Sequence, residues 1–207
     1  MAHEPAPKSI EVTGTFFRYS SYDVPFWVRS NTTDERWHLS GDGATQYLSA
    51  TTDGAWAELI RNENLRSESD LSLVAMPLWQ AKIEETRIAD YHDFETAVRA
   101  GFDPEALIHD DQDVCRAEGR RLRRAGFSGV IYPSSALPGE EILALFGAKI
   151  ALPWGSPRRL VSGIPASEVT VGAPPRDLLP RVRHVGARHA GYSEFQRLRR
   201  HRADRKP

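Results

Sequence analysis

With 207 residues the chain is long enough to bury one sizeable core, and a single domain with terminal extensions is expected. Its 40% hydrophobic and 27% charged residues are ordinary for a globular protein, and no apolar run approaches the roughly 18 residues of a membrane span. The formal charge of −1 divides unevenly: ten Lys/Arg against three Asp/Glu from Arg176 onward leave 17 basic and 25 acidic residues before it, which argues against a broad nucleic-acid surface on the body.

The one cysteine, Cys115, cannot form an internal disulfide, and a cytoplasmic location is expected. The segment Met1-Ala2-His3-Glu4-Pro5-Ala6-Pro7 lacks the apolar stretch of a signal peptide. No Cys/His cluster has zinc-site spacing, so no metal is expected. Neither common glycine-rich phosphate loop is present, so a bound nucleotide would rest on side chains and scattered backbone amides.

In chain order, residues 1–8 read as disordered. Ile10 to Tyr19, rich in Val, Thr and Phe, reads as a strand that delivers Arg18-Tyr19 to its end. Ser20 to Asp34 is a loop with an aromatic plug, Phe26-Trp27, assigned to the core, and with Arg29 as a further candidate anion ligand. Glu35-Arg36-Trp37-His38 precedes the turn Gly41-Asp42-Gly43, and Tyr47-Leu48 lies in a short β-prone run. Thr52 is placed as the cap of a helix whose Ala55, Trp56, Leu59 and Ile60 follow helical spacing. Glu58 stands in its second turn beside that apolar stripe, where a carboxylate is costly unless paired or used. On spacing alone, structural roles for Arg36, Tyr47 and Glu58 are preferred.

Leu71 to Asp90 reads as one or two strands, and Asp93 to Ala100 as a short helix ended by Gly101. Asp103-Pro104 opens another brief turn. Asp111 to Ala125 is a helix closed by Gly126, with Val114, Cys115, Ala117 and Leu122 toward the core. Its Arg116, Arg120, Arg123 and Arg124 share a face that is taken as solvated. Phe127 to Tyr132 is a strand ending at Pro133-Ser134-Ser135, where backbone amides are free for a site. Strands follow near Gly139 to Phe146, Lys149 to Leu152, Arg159 to Val161 and Val169 to Val171. Residues 173–190, rich in Pro, Arg and Gly, read as a linker, and Tyr192 to Arg202 as a short basic helix.

Arg36-Trp37, Tyr47-Leu48-Ser49, Ala57-Glu58-Leu59 and Tyr132-Pro133-Ser134, in this order, resemble the RES domain, a family named for an arginine, a glutamate and a serine. The resemblance runs from about Thr15 to about Leu152. It implies an α+β fold, a single domain over 9–172 with a mixed, split β core resembling ADP-ribosyltransferases and flanked by helices. It also implies an NAD-degrading toxin of a toxin–antitoxin pair. The sequence departs from the family pattern at Asp34-Glu35-Arg36-Trp37-His38, where the family has glycine-glycine-arginine-tryptophan-asparagine. Ala136-Leu137 stands where an arginine often follows the serine.

By that resemblance, Glu58 stabilises the oxocarbenium-like ribose left when nicotinamide departs as a neutral ring. Arg36, with Arg18 sharing the load, would hold the phosphates. Tyr47 would stack on nicotinamide or its ribose, and Ser134 would hydrogen-bond a ribose hydroxyl or the carboxamide. The catalytic set is thus Glu58, Arg36 and Tyr47; the binding set is Arg18, Arg36, Tyr47 and Ser134. NAD is substrate, so no cofactor is implied. The acceptor stays open: water is taken first, phosphate second, a protein side chain third, giving an NAD glycohydrolase or NAD phosphorylase. The implied partner is a helix-turn-helix (Xre-type) antitoxin, with nucleic acid reached only through it or the basic tail, and no membrane. The alternative is a non-catalytic binding module whose basic tail contacts nucleic acid or a protein.

Overall fold

The computed structural model describes residues 6–21, 24–152 and 163–204. Strand β3, Met76–Asp90, is the spine, and β-branched, aromatic and alternating residues on its neighbours explain why they pair with it. Strand β1, Ser9–Tyr19, lies antiparallel along one edge, from Tyr19↔Leu78 to Ser9↔Ala89. The other edge is shared. Strand β4, Gly129–Pro133, pairs parallel with Ile88–Asp90, and strand β7, Gly163–Gly172, pairs antiparallel with Met76–Ala81. Strand β5, Glu141–Phe146, joins β4 to strand β2, Thr45–Ser49, and β2 meets β1 at the register pair Phe17↔Ser49. The strands β1-β2-β5-β4-β3 therefore close on themselves, with one registered pair at the β1–β2 seam. Strand β6, Ile150–Leu152, extends the sheet beyond β7. A mixed α+β architecture was expected and is observed.

Helix α1, Thr52–Asn62, buries Ala55, Trp56, Leu59 and Ile60, as the spacing requires. Its cap is Thr51 rather than Thr52: the Thr51 hydroxyl accepts from the Gly54 amide at 2.9 Å. A short helix α2, Glu68–Ser72, carries a capping box from Ser67 and Asp70 and precedes β3, so the stretch from Leu71 is helix before it is strand. Helix α3 covers Phe94–Arg99, capped by Asp93.

Helix α4, Asp113–Arg124, turns a different face inward from the one the sequence suggested. Cys115, Glu118, Gly119 and Leu122 are buried, whereas Val114 and Ala117 are exposed. The reason is Gly119: a Cβ there would collide with the Trp37 carbonyl oxygen, so the helix lies directly on the backbone next to Arg36. Its arginines are not a free solvated face either. Arg120 binds Asp42, Arg116 reaches the Glu35 carbonyl, and Arg123 lies over the Phe146 ring at 4.1 Å. All three clamp the segment around Arg36 or the strand behind it.

The stretch read as a linker packs on the body. It forms a 3-10 turn, Arg176–Arg181, with Leu178 and Val182 in the same core cluster as Trp56, Leu59 and Ile60. Helix α5, Ala190–Ala203, follows, capped by His189. Composition suggested a linker because Pro, Arg and Gly are polar or breaking, yet two aliphatic anchors suffice to seat it. At the amino terminus Pro7 is buried and the Lys8 carbonyl accepts from Asp90 N at 3.0 Å; residues 1–5 and the strand expected at 159–161 lie outside the described residues.

Candidate active site

A cleft of about 900 Å³ opens at the β1–β2 seam, a volume suited to a nucleotide-sized ligand. Arg18, Tyr19, Trp27, Arg36, Tyr47, Glu58, Arg61 and Tyr132 line it. The sequence blocks are thus brought together from β1, β2, β4, α1 and the loop before β2.

Glu58 is half-buried, held by α1 between the buried Ala57 and Leu59. Its Oε1 accepts the Ser134 hydroxyl at 2.8 Å. Desolvation raises its pKa above the ordinary carboxylate value, opposed by the Ser134 hydrogen bond and the positive Arg36 and Arg61.

Ser134, just past the end of β4, is fully buried, and its bonds define its role. Its Oγ accepts from the amides of Ala136 at 3.1 Å and Leu137 at 3.0 Å, and its hydrogen goes to Glu58. Ser134 is thus the turn's anchor and the holder of Glu58, so the expected bond to a ribose hydroxyl or carboxamide would have to be made beside these partners, while neighbouring Ser135 reaches the cleft wall.

Arg36 sits at the tip of a tight turn closed by Glu35 N to His38 O at 3.0 Å and His38 N to Glu35 O at 3.2 Å. It is 5% exposed, and its Nη1 donates to the carbonyls of Ala106 at 3.2 Å and His109 at 2.9 Å. A ligand would meet a guanidinium already fixed by protein. Tyr47 braces the same turn: its hydroxyl accepts from Trp37 N at 3.0 Å and lies 3.0 Å from His38 Nδ1. Burial lowers the His38 pKa and raises that of Tyr47, so a phenol proton donated to Nδ1 of a neutral imidazole agrees with both shifts. The departure from asparagine at position 38 is thereby accommodated, and Tyr47 still lines the cleft.

Arg18 donates to Gln46 Oε1 at 3.2 Å and lies 5.0 Å from the Trp27 ring centroid, with burial lowering its pKa to about 10, still cationic near neutrality. Phe26 is core as expected, but Trp27 is a cleft wall. Arg29 and Glu35 are exposed at the mouth, and the Glu35 pKa is raised by desolvation and by Glu58, against the pull of Arg18. Tyr19 is pushed up to about 12 by burial. Sequence reasoning missed Arg61, although its place one turn after Glu58 on the same helix was a readable signal. Among the described residues, no group of three or more His, Cys, Asp or Glu could hold a metal ion, and no helix is long and apolar enough to cross a membrane.

Comparison with known proteins adds three findings. The RES domain model matches residues 13–159. A probable NAD(+) phosphorylase of Mycobacterium tuberculosis is 33% identical over 156 residues, 72% of this chain and 66% of that protein's length. A chain of the crystal structure of the M. tuberculosis MbcT–MbcA toxin–antitoxin complex superposes with a TM-score of 0.62 at 17% identity, over 80% of this chain and 87% of that one; this likeness concerns the fold.

Proposed function

This chain belongs to the RES-domain family, and from that membership we propose that it is an NAD-degrading toxin that cleaves the nicotinamide–ribose bond. The observation that carries the reading is Glu58: a carboxylate on the cleft wall, aimed by Ser134 and set among Arg18, Arg36 and Arg61. As the glycosidic bond breaks, its electron pair leaves with nicotinamide, which becomes neutral. Positive charge then develops on the ribose, opposite a fixed anion. The arginines offset the two phosphates, and the aromatic walls of Tyr19, Trp27 and Tyr47 exclude water from the flat rings.

The acceptor that attacks the ribose is phosphate or water. The name of the mycobacterial relative, together with the arginine-rich wall, supports phosphate, with the phosphate oxygen forming the new bond at the anomeric carbon. A small antitoxin, of the helix-turn-helix Xre type, is the proposed partner that silences the cleft; a structural neighbour that comes from a toxin–antitoxin complex supports an antitoxin in general. The purified protein, incubated with NAD with and without phosphate, is expected to release nicotinamide and a phosphorylated ADP-ribose only when phosphate is present. Equal turnover without phosphate, yielding ADP-ribose, would assign water instead. No NAD loss by the folded protein would leave the binding-module reading.

A further inference from the structure

Behind Glu58, segments far apart in sequence are tied into one frame. Asp110 Oδ1 pairs with Arg61 Nη2 at 2.5 Å and Arg183 Nη1 at 3.0 Å, and its Oδ2 accepts from the Gly186 amide at 2.7 Å. Arg61 also donates to the Arg183 carbonyl at 2.9 Å. The helix that carries Glu58 is therefore bound to the strap of residues 176–189.

The same strap grips the turn that carries Ser134. Three consecutive carbonyls are held: Ser134 O by His189 Nε2 at 3.0 Å, Ser135 O by Arg183 Nη1 at 3.3 Å, and Ala136 O by Arg183 N at 2.7 Å. The His189 tautomer follows from its partners. Tyr192 N donates to Nδ1 at 3.1 Å, so Nδ1 accepts and the proton sits on Nε2, facing the Ser134 carbonyl. His189 and Arg183 are both buried, and both lie beyond residue 159, where the family match ends.

We propose that this strap is a positioning element of the site: His189 and Arg183 lock the turn Ser134–Leu137 so that the Ser134 hydroxyl aims its one hydrogen at Glu58. The turn is gripped on its carbonyls by the strap, and its amides at Ala136 and Leu137 grip Oγ, so the hydroxyl keeps one direction. The carbonyls of Ser135 and Ala136, held by Arg183, belong to the peptide units whose amides fix Oγ. The Ser134 carbonyl, held by His189, belongs to the unit just before them, so loosening either grip frees the turn that sets the hydroxyl's direction. This role rests on the proposed reaction, in which Glu58 is the charge-stabilising group. The charged and titratable groups that face Glu58 are Arg36, Arg61, Tyr19, Glu35 and Tyr132, none of which lies in the strap.

Two variants separate the brace from the helix cap. His189→Asn keeps a side-chain acceptor near the Nδ1 position for the Tyr192 amide but falls short of Ser134, whereas His189→Gln reaches Ser134. The measurements are the Glu58 carboxyl titration by carbon NMR, which needs no turnover, and kcat and KM for NAD across pH. His189→Asn is expected to raise the Glu58 midpoint by about one pH unit and to lower kcat about tenfold, with KM within about twofold. His189→Gln should stay near the parent. Ser134→Ala should shift the Glu58 midpoint in the same direction as His189→Asn, and the double variant should add less than the sum of the two, since both weaken what the one turn offers Glu58, the Ser134 hydroxyl and the Ala136 amide. A Glu58 midpoint and kcat unchanged in His189→Asn would overturn the proposal, whatever happens to thermal stability. A parent without NAD turnover would sink the reaction assignment, while the carboxyl titration would still decide the role of the strap.

Discussion

The two walls of the cleft are built differently. The Glu58 wall is helix, strand end and strap, with Ser134, Arg61 and Arg183 buried and held by several partners each. The opposite wall is largely loop, with Arg29, Glu35, Val24 and Val28 exposed at its mouth and Arg36 as its one deeply buried cation among the described residues. A transition state that gains charge at one atom needs a group already in place, whereas a flexible dinucleotide tolerates a wall that adjusts. On the proposed reaction, the Glu58 wall would serve the chemistry and the loop wall, apart from the fixed Arg36, would serve recognition.

The contrast is tested most severely at Glu58. Glu58→Gln keeps shape and loses charge, so kcat should fall about 10² to 10³-fold, roughly 3–4 kcal/mol, with KM for NAD little changed. Because burial raises the carboxyl pKa in the folded state, Glu58 contributes stability that is present below about pH 4.5, its ordinary value, and is lost as pH rises through the raised native value. Thermal unfolding at pH 7 should therefore show Glu58→Gln at least as stable as the parent. A variant that unfolds earlier and turns over normally would make Glu58 a structural ion partner.

Arg36 tests the other wall. Arg36→Lys keeps the charge but loses the planar guanidinium that bridges the Ala106 and His109 carbonyls. Loss of one charge-assisted contact, about 2 kcal/mol, should weaken NAD binding roughly 30-fold, seen in KM more than kcat. A pure kcat effect would move Arg36 to the chemical wall.

A smaller effect concerns pH. Burial lowers the pKa of His189 and His38 below 6.5, so each contributes stability present above that pH and lost as pH falls through its lower native value. The melting temperature should drop between pH 7.5 and 5.5, and His189→Gln should flatten that drop by removing one titrating group. An unchanged slope would mean that His189 titrates alike in the folded and unfolded chains. Smallest of all, Glu35→Gly removes an anion from the exposed mouth, and phosphate-dependent turnover should rise by about twofold to threefold, a surface-charge effect that salt erases. A rise that survives high salt would place Glu35 in the rigid wall.

Local devices and the identities of the principal groups were legible from the order of residues alone. Helix α1, its buried stripe, the strand ending at Ser134, and Arg36, Tyr47 and Glu58 could be read because period, caps and motif order act within a few residues. Contacts between distant segments decided which partners those groups have. That Ser134 is buried against Glu58 and His189 follows from bonds to residues 76 positions before it and 55 after. That α4 buries Gly119 rather than Val114 follows from contact with Trp37, and that a stretch composed like a linker became a strap follows from Leu178 and Val182 meeting α1. Hydrophobic periodicity reports which residues seek burial, but not against what; the partner of a buried hydrogen bond is chosen only when distant segments compete for the same carbonyl.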